Sequence, residues 1–246
     1  MLLKKLHKYF ILIVSAVFLA SCVLQLQPDE DENIDQQAAR QTFTAYKYAL
    51  LNNLGKDAAD LISEKTIQHY AHLRSLALAA NIDELNQLSA YNKFVVLSMR
   101  HSISGSLLQQ MSAKDIFAFG VDQEWISKED VAPYNIGTIS VYGAYAIAEL
   151  LRGTRNTDTF LEFLNEDGVW RINLQPILKK SSQDFTAQLA GQNVKNENAM
   201  ILKIIESLSG KKPAEGIWTP VIDTRSIVSD QATGGTTENS EKETLQ

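Results

Sequence analysis

Only one cysteine occurs in 246 residues, which excludes an internal disulfide and any zinc site built on several thiolates. Basic residues are also short, 23 Lys and Arg against 29 Asp and Glu, so the chain carries a net charge of −6. That balance leaves no surplus of Lys and Arg to neutralise nucleic-acid phosphates, and none for a polybasic grip on anionic lipid. Several chemical signatures are missing as well. No G-x-x-x-x-G-K-[ST] loop, no G-x-S-x-G elbow and no His-Glu-x-x-His pair is present, which argues against nucleotide hydrolases, serine hydrolases and zinc proteases of the common kinds. What the chain does have is apolar material, 45% of its residues, enough for one well-filled domain and a small appendage.

The N-terminus gives that material an address. Lys4, Lys5 and Lys8 precede an almost unbroken apolar run over residues 9–20, the charged-then-apolar plan of a secretory signal. As a helix the twelve residues reach about 18 Å, well short of a hydrocarbon core of roughly 30 Å. The run ends in Leu19-Ala20-Ser21-Cys22, which resembles the lipobox of bacterial lipoproteins: a branched apolar residue, two small residues, then the cysteine. The resemblance implies that Cys22 is lipidated on sulfur, that cleavage follows Ser21, and that the new amine is acylated. Each buried methylene contributes about 0.8 kcal/mol and stable anchoring takes about two lipid signals, so an acylated Cys22 is sufficient attachment to the bilayer. Removing residues 1–21 takes the charge from −6 to −9, because three lysines leave with them. Position two of the mature chain is Val23 rather than aspartate, which in this class points to an outer membrane facing the periplasm. The competing reading is an uncleaved helix over residues 9–26, barely long enough to span.

Residues 22–33 include Pro28-Asp29-Glu30-Asp31-Glu32 and form an acidic tether, at most about 40 Å when extended. From Ile34 the pattern turns helical: Asn33 is a candidate N-cap with Gln36 three residues on, and Ala39, Phe43, Tyr46 and Leu50 follow at helical spacing to a stop at Gly55. A second helix starts near Lys56. Ser63 caps a third with the stripe Ile67, Tyr70, Leu73 and Ala77, ending at Asn81, and a fourth runs from Ala90 toward Met111. After Gly120 the texture is that of strands, expected over 136–151, 159–164 and 169–174, the last two joined by a hairpin turn at Asp167-Gly168. Residues 179–222 form a helical extension clearest at Ile201, Ile204, Ile205 and Leu208, with Ile217 and Trp218 fastening its end, and 223–246 read as a disordered tail.

The hairpin Phe160-Leu161-Glu162-Phe163-Leu164-Asn165-Glu166-Asp167-Gly168-Val169-Trp170-Arg171-Ile172-Asn173-Leu174, preceded by helices, resembles the nuclear-transport-factor-2-like (cystatin-like α+β) superfamily over residues 34–178. That resemblance implies an α+β fold with N-terminal helices packed on a curved antiparallel sheet, cone-like, with a mouth. Members use the cone for isomerisation, cyclisation, ligand binding or pairing with partners, so the fold transfers no activity.

Candidate chemistry is sparse. His69 and His72 lie three apart on one helix face but lack a third ligand in sequence, so no metal and no cofactor is assigned. The isomerase-type reading needs a buried carboxylate with a tyrosine nearby; Glu149, on the predicted face of Tyr145 and Ile147, is the candidate, approaching Tyr46 or Tyr70, with pairing to Arg171 as the plainer role. Tyr46, Tyr70, Tyr145 and Trp170 are candidate ligand-binding residues on a cavity floor, or else ordinary core. The expectation is an envelope lipoprotein whose domain binds a small apolar ligand or a protein partner without catalysis. Its rivals are a cavity enzyme using Glu149 and an accessory subunit of an envelope or secretion assembly. Mass spectrometry of the purified mature chain is expected to show Cys22 as the first residue with added acyl mass, lost in Cys22→Ala; a wild-type chain with residues 1–21 intact and no lipid overturns the anchor.

Overall fold

In the computed structural model, residues 33–191 and 196–222 are described. The lipobox with Cys22, the acidic stretch 28–32 and the tail 223–246 lie outside them. Helix α1 spans Ile34–Leu51 and begins as the sequence specifies. Asn33 Oδ1 accepts from the Asp35 and Gln36 N–H groups at 3.0 Å each, while Gln36 Oε1 accepts from the Asn33 N–H at 2.7 Å, so a capping box satisfies the first free donors of the helix. Gln36 Nε2 also donates to the Ile139 carbonyl at 2.7 Å, and that tie fixes the helix start to the sheet. The stop differs from expectation. Asn53, at φ 54°, takes the left-handed position after α1, which asparagine tolerates better than most residues. Gly55 instead opens α2, Gly55–Asp60, where a Cβ would stand 2.1 Å from the Ala118 carbonyl oxygen: glycine is needed there for helix contact, not for a turn.

Helix α3, Glu64–Ala79, is held at both ends. Ahead of it, the Ser63 N–H donates to the Ile172 carbonyl at 2.8 Å and the Ile172 N–H to the Leu61 carbonyl at 2.9 Å, a one-residue parallel bridge onto the sheet. The buried Ser63 caps the helix, and Thr66 Oγ1 accepts from the Leu174 N–H at 2.9 Å. Short α4, Ile82–Asn86, is capped by Asn81, which therefore starts a helix where a stop was expected. The single helix expected over 90–111 is two, α5 at Ala90–Ser102 and α6 at Gly105–Gln110, because Ile103 is extended and Ser104 caps a new start. Two more follow: α7, Ala113–Asp122, and α8, Lys128–Val131.

The sheet has four antiparallel strands in chain order, β1 Tyr134–Tyr142, β2 Tyr145–Arg152, β3 Arg155–Glu166 and β4 Val169–Asn173. The stretch expected as one strand over 136–151 is a hairpin, turned at Gly143 with φ 63°. That turn resets which side chains face inward. Ile139 and Val141 of β1 face the helices, but on β2 the inward set is Ala146, Ala148 and Leu150, so Tyr145, Ile147, Glu149 and Leu151 occupy the outer face. The Asp167-Gly168 turn has φ 54° and 84°, the paired positive angles of a two-residue hairpin whose twist matches its strands.

C-terminal helices α9, Gln175–Gly191, and α10, Glu197–Ser209, complete the α+β fold with a 3-10 turn at Glu215–Trp218. Gly210, at φ 68°, ends α10. The apolar interior falls into two clusters. One joins α1, α2 and the inner sheet face through residues such as Phe163, Trp170 and Ile172; the other joins α3 to α6 with Ile201 and Ile205 of α10 and with Ile217. Polar ties hold the second cluster in place: buried Lys93 donates to Glu197 at 2.8 Å and Asn198 at 3.0 Å. Arg100 donates to the carbonyls of Leu76, Ala77 and Ala80 at the end of α3, and to that of Ile217. Arg100→Met leaves those carbonyls without their charged donor and is expected to lower the unfolding free energy by about 3 kcal/mol. Arg100→Lys should recover little, since one ammonium cannot span four carbonyls. Urea denaturation checks this, and an unchanged midpoint in Arg100→Met would contradict it.

Candidate functional site

Between the two apolar clusters lies a cavity of about 990 Å³, at the upper end of the range that holds drug-sized molecules. Its walls come from elements far apart in sequence. Helix α1 supplies Phe43, Tyr46 and Leu50; the inner sheet face supplies Leu150, Thr157 and Leu161; α5 supplies Tyr91, Phe94 and Ser98. Tyr70 of α3 packs against both clusters, with its ring edge-on to Phe117 at 5.2 Å. Toward solvent the lining turns to Trp125 at 37% exposure, Ile126 at 39% and Leu208 at 73%. The interior is apolar and the rim carries exposed apolar side chains.

Three tyrosines contribute to the polar part of the lining, beside Ser98, Thr157 and Thr159. Tyr46, Tyr70 and Tyr91 all line the cavity, and none of their hydroxyls hydrogen-bonds to another described residue. Burial raises the pKa of each above the ordinary phenol value, and for Tyr70 the Tyr91 and Tyr46 phenols raise it further. All three therefore remain protonated donors at neutral pH. Lys47 reaches the wall too, donating to the Tyr134 carbonyl at 2.6 Å and to Asn135 at 2.9 Å, and burial lowers its pKa.

The expected site residues divide. Tyr46 and Tyr70 meet in the cavity. Trp170 does not line it: its ring is buried under the start of α1, where Nε1 donates to Asp35 at 3.1 Å. Tyr145 stands on the outer sheet face, its pKa raised by burial and by the Glu162 carboxylate beside it. Glu149 shares that outer face and accepts from the Thr138 N–H at 3.3 Å, so the sheet separates it from Tyr46 and Tyr70. Arg171 does not pair with Glu149 either; it pairs with Glu166 at 3.4 Å and donates to the Asp60 carbonyl. The carboxylates that do line the cavity, Glu124, Asp130 and Asp184, are engaged by Lys128, Ser127 and Lys180 respectively. Tyr91 was missed, although a signal exists: residues 91, 94, 95, 98, 101 and 102 form one helical stripe whose aromatic half gives way to Ser98, His101 and Ser102. A stripe that turns polar marks a wetted wall, not a sealed core.

The histidines of α3 and α5 have distinct surroundings. His69 has a buried Nε2 without a partner, its ring lies edge-on to Tyr70 at 5.8 Å, and its pKa is lowered by burial and then by His72. Among the described residues no group of three or more His, Cys, Asp or Glu gathers to hold a metal. At the cavity wall, His101 Nε2 lies 2.8 Å from Ser209 Oγ. That hydroxyl already donates to the Lys211 carbonyl at 3.0 Å, so the imidazole is the donor and the pair locks α5 to the end of α10.

No protein-family model, curated protein or solved structure matches the chain. Fold and cavity together define a class: an α+β protein with helices on a four-stranded antiparallel sheet and a ligand-sized, tyrosine-bearing cavity. No helix among the described residues is long and apolar enough to cross a membrane.

The raised tyrosine pKa values have a stability consequence. The folded state holds its phenol protons more tightly than the unfolded state, so their contribution is complete below about pH 10 and is lost as pH rises beyond it. Denaturation midpoints measured from pH 8 to 11.5 are expected to fall above pH 10, with a shallower fall in Tyr46→Phe and Tyr70→Phe. Equal slopes in wild type and both variants would contradict the burial of these hydroxyls.

Proposed function

We propose that this chain is a lipid-anchored envelope protein whose domain binds a small apolar ligand without transforming it. The observation that carries the reading is the cavity of about 990 Å³, walled by Phe43, Tyr46, Tyr70, Phe94 and Leu161, with exposed Trp125 and Ile126 at its rim. Such a cavity exposes apolar surface that water covers poorly, and a ligand gains roughly 25 cal/mol for each Å² of apolar surface it removes from water. The lipobox ending at Cys22 supports an anchor, with an outer membrane facing the periplasm as its place. The helices ahead of a β-meander and the Asp167-Gly168-Val169-Trp170-Arg171-Ile172 hairpin support kinship with the nuclear-transport-factor-2-like superfamily, whose cones bind ligands. A catalytic reading has less support, because Glu149 is on the far side of the sheet from the cavity.

The test is binding of the apolar fluorophore N-phenyl-1-naphthylamine by the purified chain. Ser98→Trp and Thr159→Phe place bulk at two parts of the lining, on α5 and β3. Wild type is expected to bind with micromolar affinity and each variant at least tenfold more weakly, at unchanged circular dichroism. No binding by wild type, or equal binding by folded variants, would refute a ligand cavity.

A further inference from the structure

The cavity contains more hydrogen-bond donors than its own walls satisfy. Polar groups in a mostly apolar setting nearly always find a partner in protein, water or ligand. Here the hydroxyls left without a protein partner belong to three tyrosines that line the open space of the cavity. Tyr46, only 7% exposed, lies on α1, Tyr70 on α3 and Tyr91 on α5, and all three line the same cavity. Phenol oxygens can in principle accept from one another, but no hydrogen bond joins these three, and no carboxylate or carbonyl of a described residue receives their protons. Three protonated donors from three helices therefore face one apolar space. A hydrocarbon occupant would strip water from them and return no hydrogen bond in exchange. An occupant carrying an sp² oxygen would replace that water with direct bonds.

The cavity has a direction as well. Tyr46 is buried and Tyr70 and Tyr91 are half-buried, whereas Trp125, Ile126 and Leu208 stand exposed at its rim. We infer that the ligand is an amphiphile with a carbonyl or carboxylate oxygen, which enters oxygen first, is held by the hydroxyls of Tyr46, Tyr70 and Tyr91, and runs its apolar body out along Phe94 and Leu161 to the Trp125 rim. This rests on the ligand-binding reading above and adds the chemical class and orientation of the ligand.

Three probes test it on the full mature chain: cis-parinaric acid, its methyl ester, and diphenylhexatriene, which is apolar and has no oxygen. Each is titrated against wild type, Tyr46→Phe, Tyr70→Phe and the double variant, substitutions that keep the ring and remove only the donor. The acid and the ester are expected to lose roughly fivefold in affinity per hydroxyl removed, the double variant roughly twenty-fivefold, as one net hydrogen bond of about 1 kcal/mol each implies. Diphenylhexatriene should bind all four proteins alike or slightly favour the variants. The tighter of acid and ester in wild type identifies which form of the oxygen the site prefers. If all three probes bind and the substitutions leave the acid and ester unchanged, or weaken diphenylhexatriene equally, the oxygen-recognition inference is overturned while the cavity reading stands. If no probe binds wild type, both fall.

Discussion

Everything in this structure is organised by helix α3 being fixed at its two ends to different bodies. Its start is joined to β4 through the Ser63–Ile172 and Leu61–Ile172 backbone bonds and the Thr66–Leu174 contact, which makes it part of the sheet layer. Its end is gripped by Arg100, whose guanidinium donates to the last carbonyls of the helix and to Ile217, which makes it part of the helical layer. A helix shared in this way contributes side chains to both apolar clusters. Side chains at the start of α3 and on the sheet fill one cluster, Leu73 and Ala77 fill the other, and Tyr70 is left where the clusters face each other. The cavity is the space this arrangement leaves open. Its volume depends on backbone ties at some distance from its walls.

Local chemistry was legible where a few adjacent residues decide the outcome. Asn33 and Gln36 specify a capping box, Ser63 specifies a helix start, Asp167-Gly168 specifies a two-residue turn and Gly210 a helix end, because in each case the hydrogen bonds or the φ angle are settled within four residues. Gly55 misled for a physical reason. A glycine beside a helix end usually serves conformation, yet here Asn53 meets that need and Gly55 serves the close approach of α2 to α7, which only the folded structure reveals. The inner and outer faces of β2 were inverted because a period of two carries no phase across a hairpin whose turn has not been recognised. Ala146 and Ala148 form core, and the larger Tyr145 and Ile147, which looked more like core, face outward.

The same error of phase placed Glu149 near the tyrosines and counted Tyr145 among the ligand residues. Of the four aromatic candidates, Tyr46 and Tyr70 line the cavity because both lie on helices, where spacing of three and four residues fixes the face without knowledge of any turn. Tyr91 lay on an equally readable stripe, but its meaning came from the polar residues that continue it, not from its aromatic ring. Trp170 is the reverse case: an aromatic next to a hairpin turn that closes the core under α1 and reaches Asp35 with its one polar atom. Sequence periodicity identifies which side chains turn inward; whether they meet a packed interior or a hollow depends on the distance between layers.

On the proposed reading, anchor and cavity complement each other. A lipidated Cys22 and a tether of at most about 40 Å would keep the Trp125 and Ile126 rim close to a membrane rich in amphiphiles. An acidic surface would keep the domain from adhering to anionic headgroups. The most direct measurement is fluorine NMR of the chain labelled with 3-fluorotyrosine and titrated with cis-parinaric acid. The account predicts saturable shifts of the Tyr46, Tyr70 and Tyr91 resonances with those of Tyr48 and Tyr142 unmoved; shifts confined to Tyr142 and Tyr145 on the outer sheet face, or none at all, would contradict it.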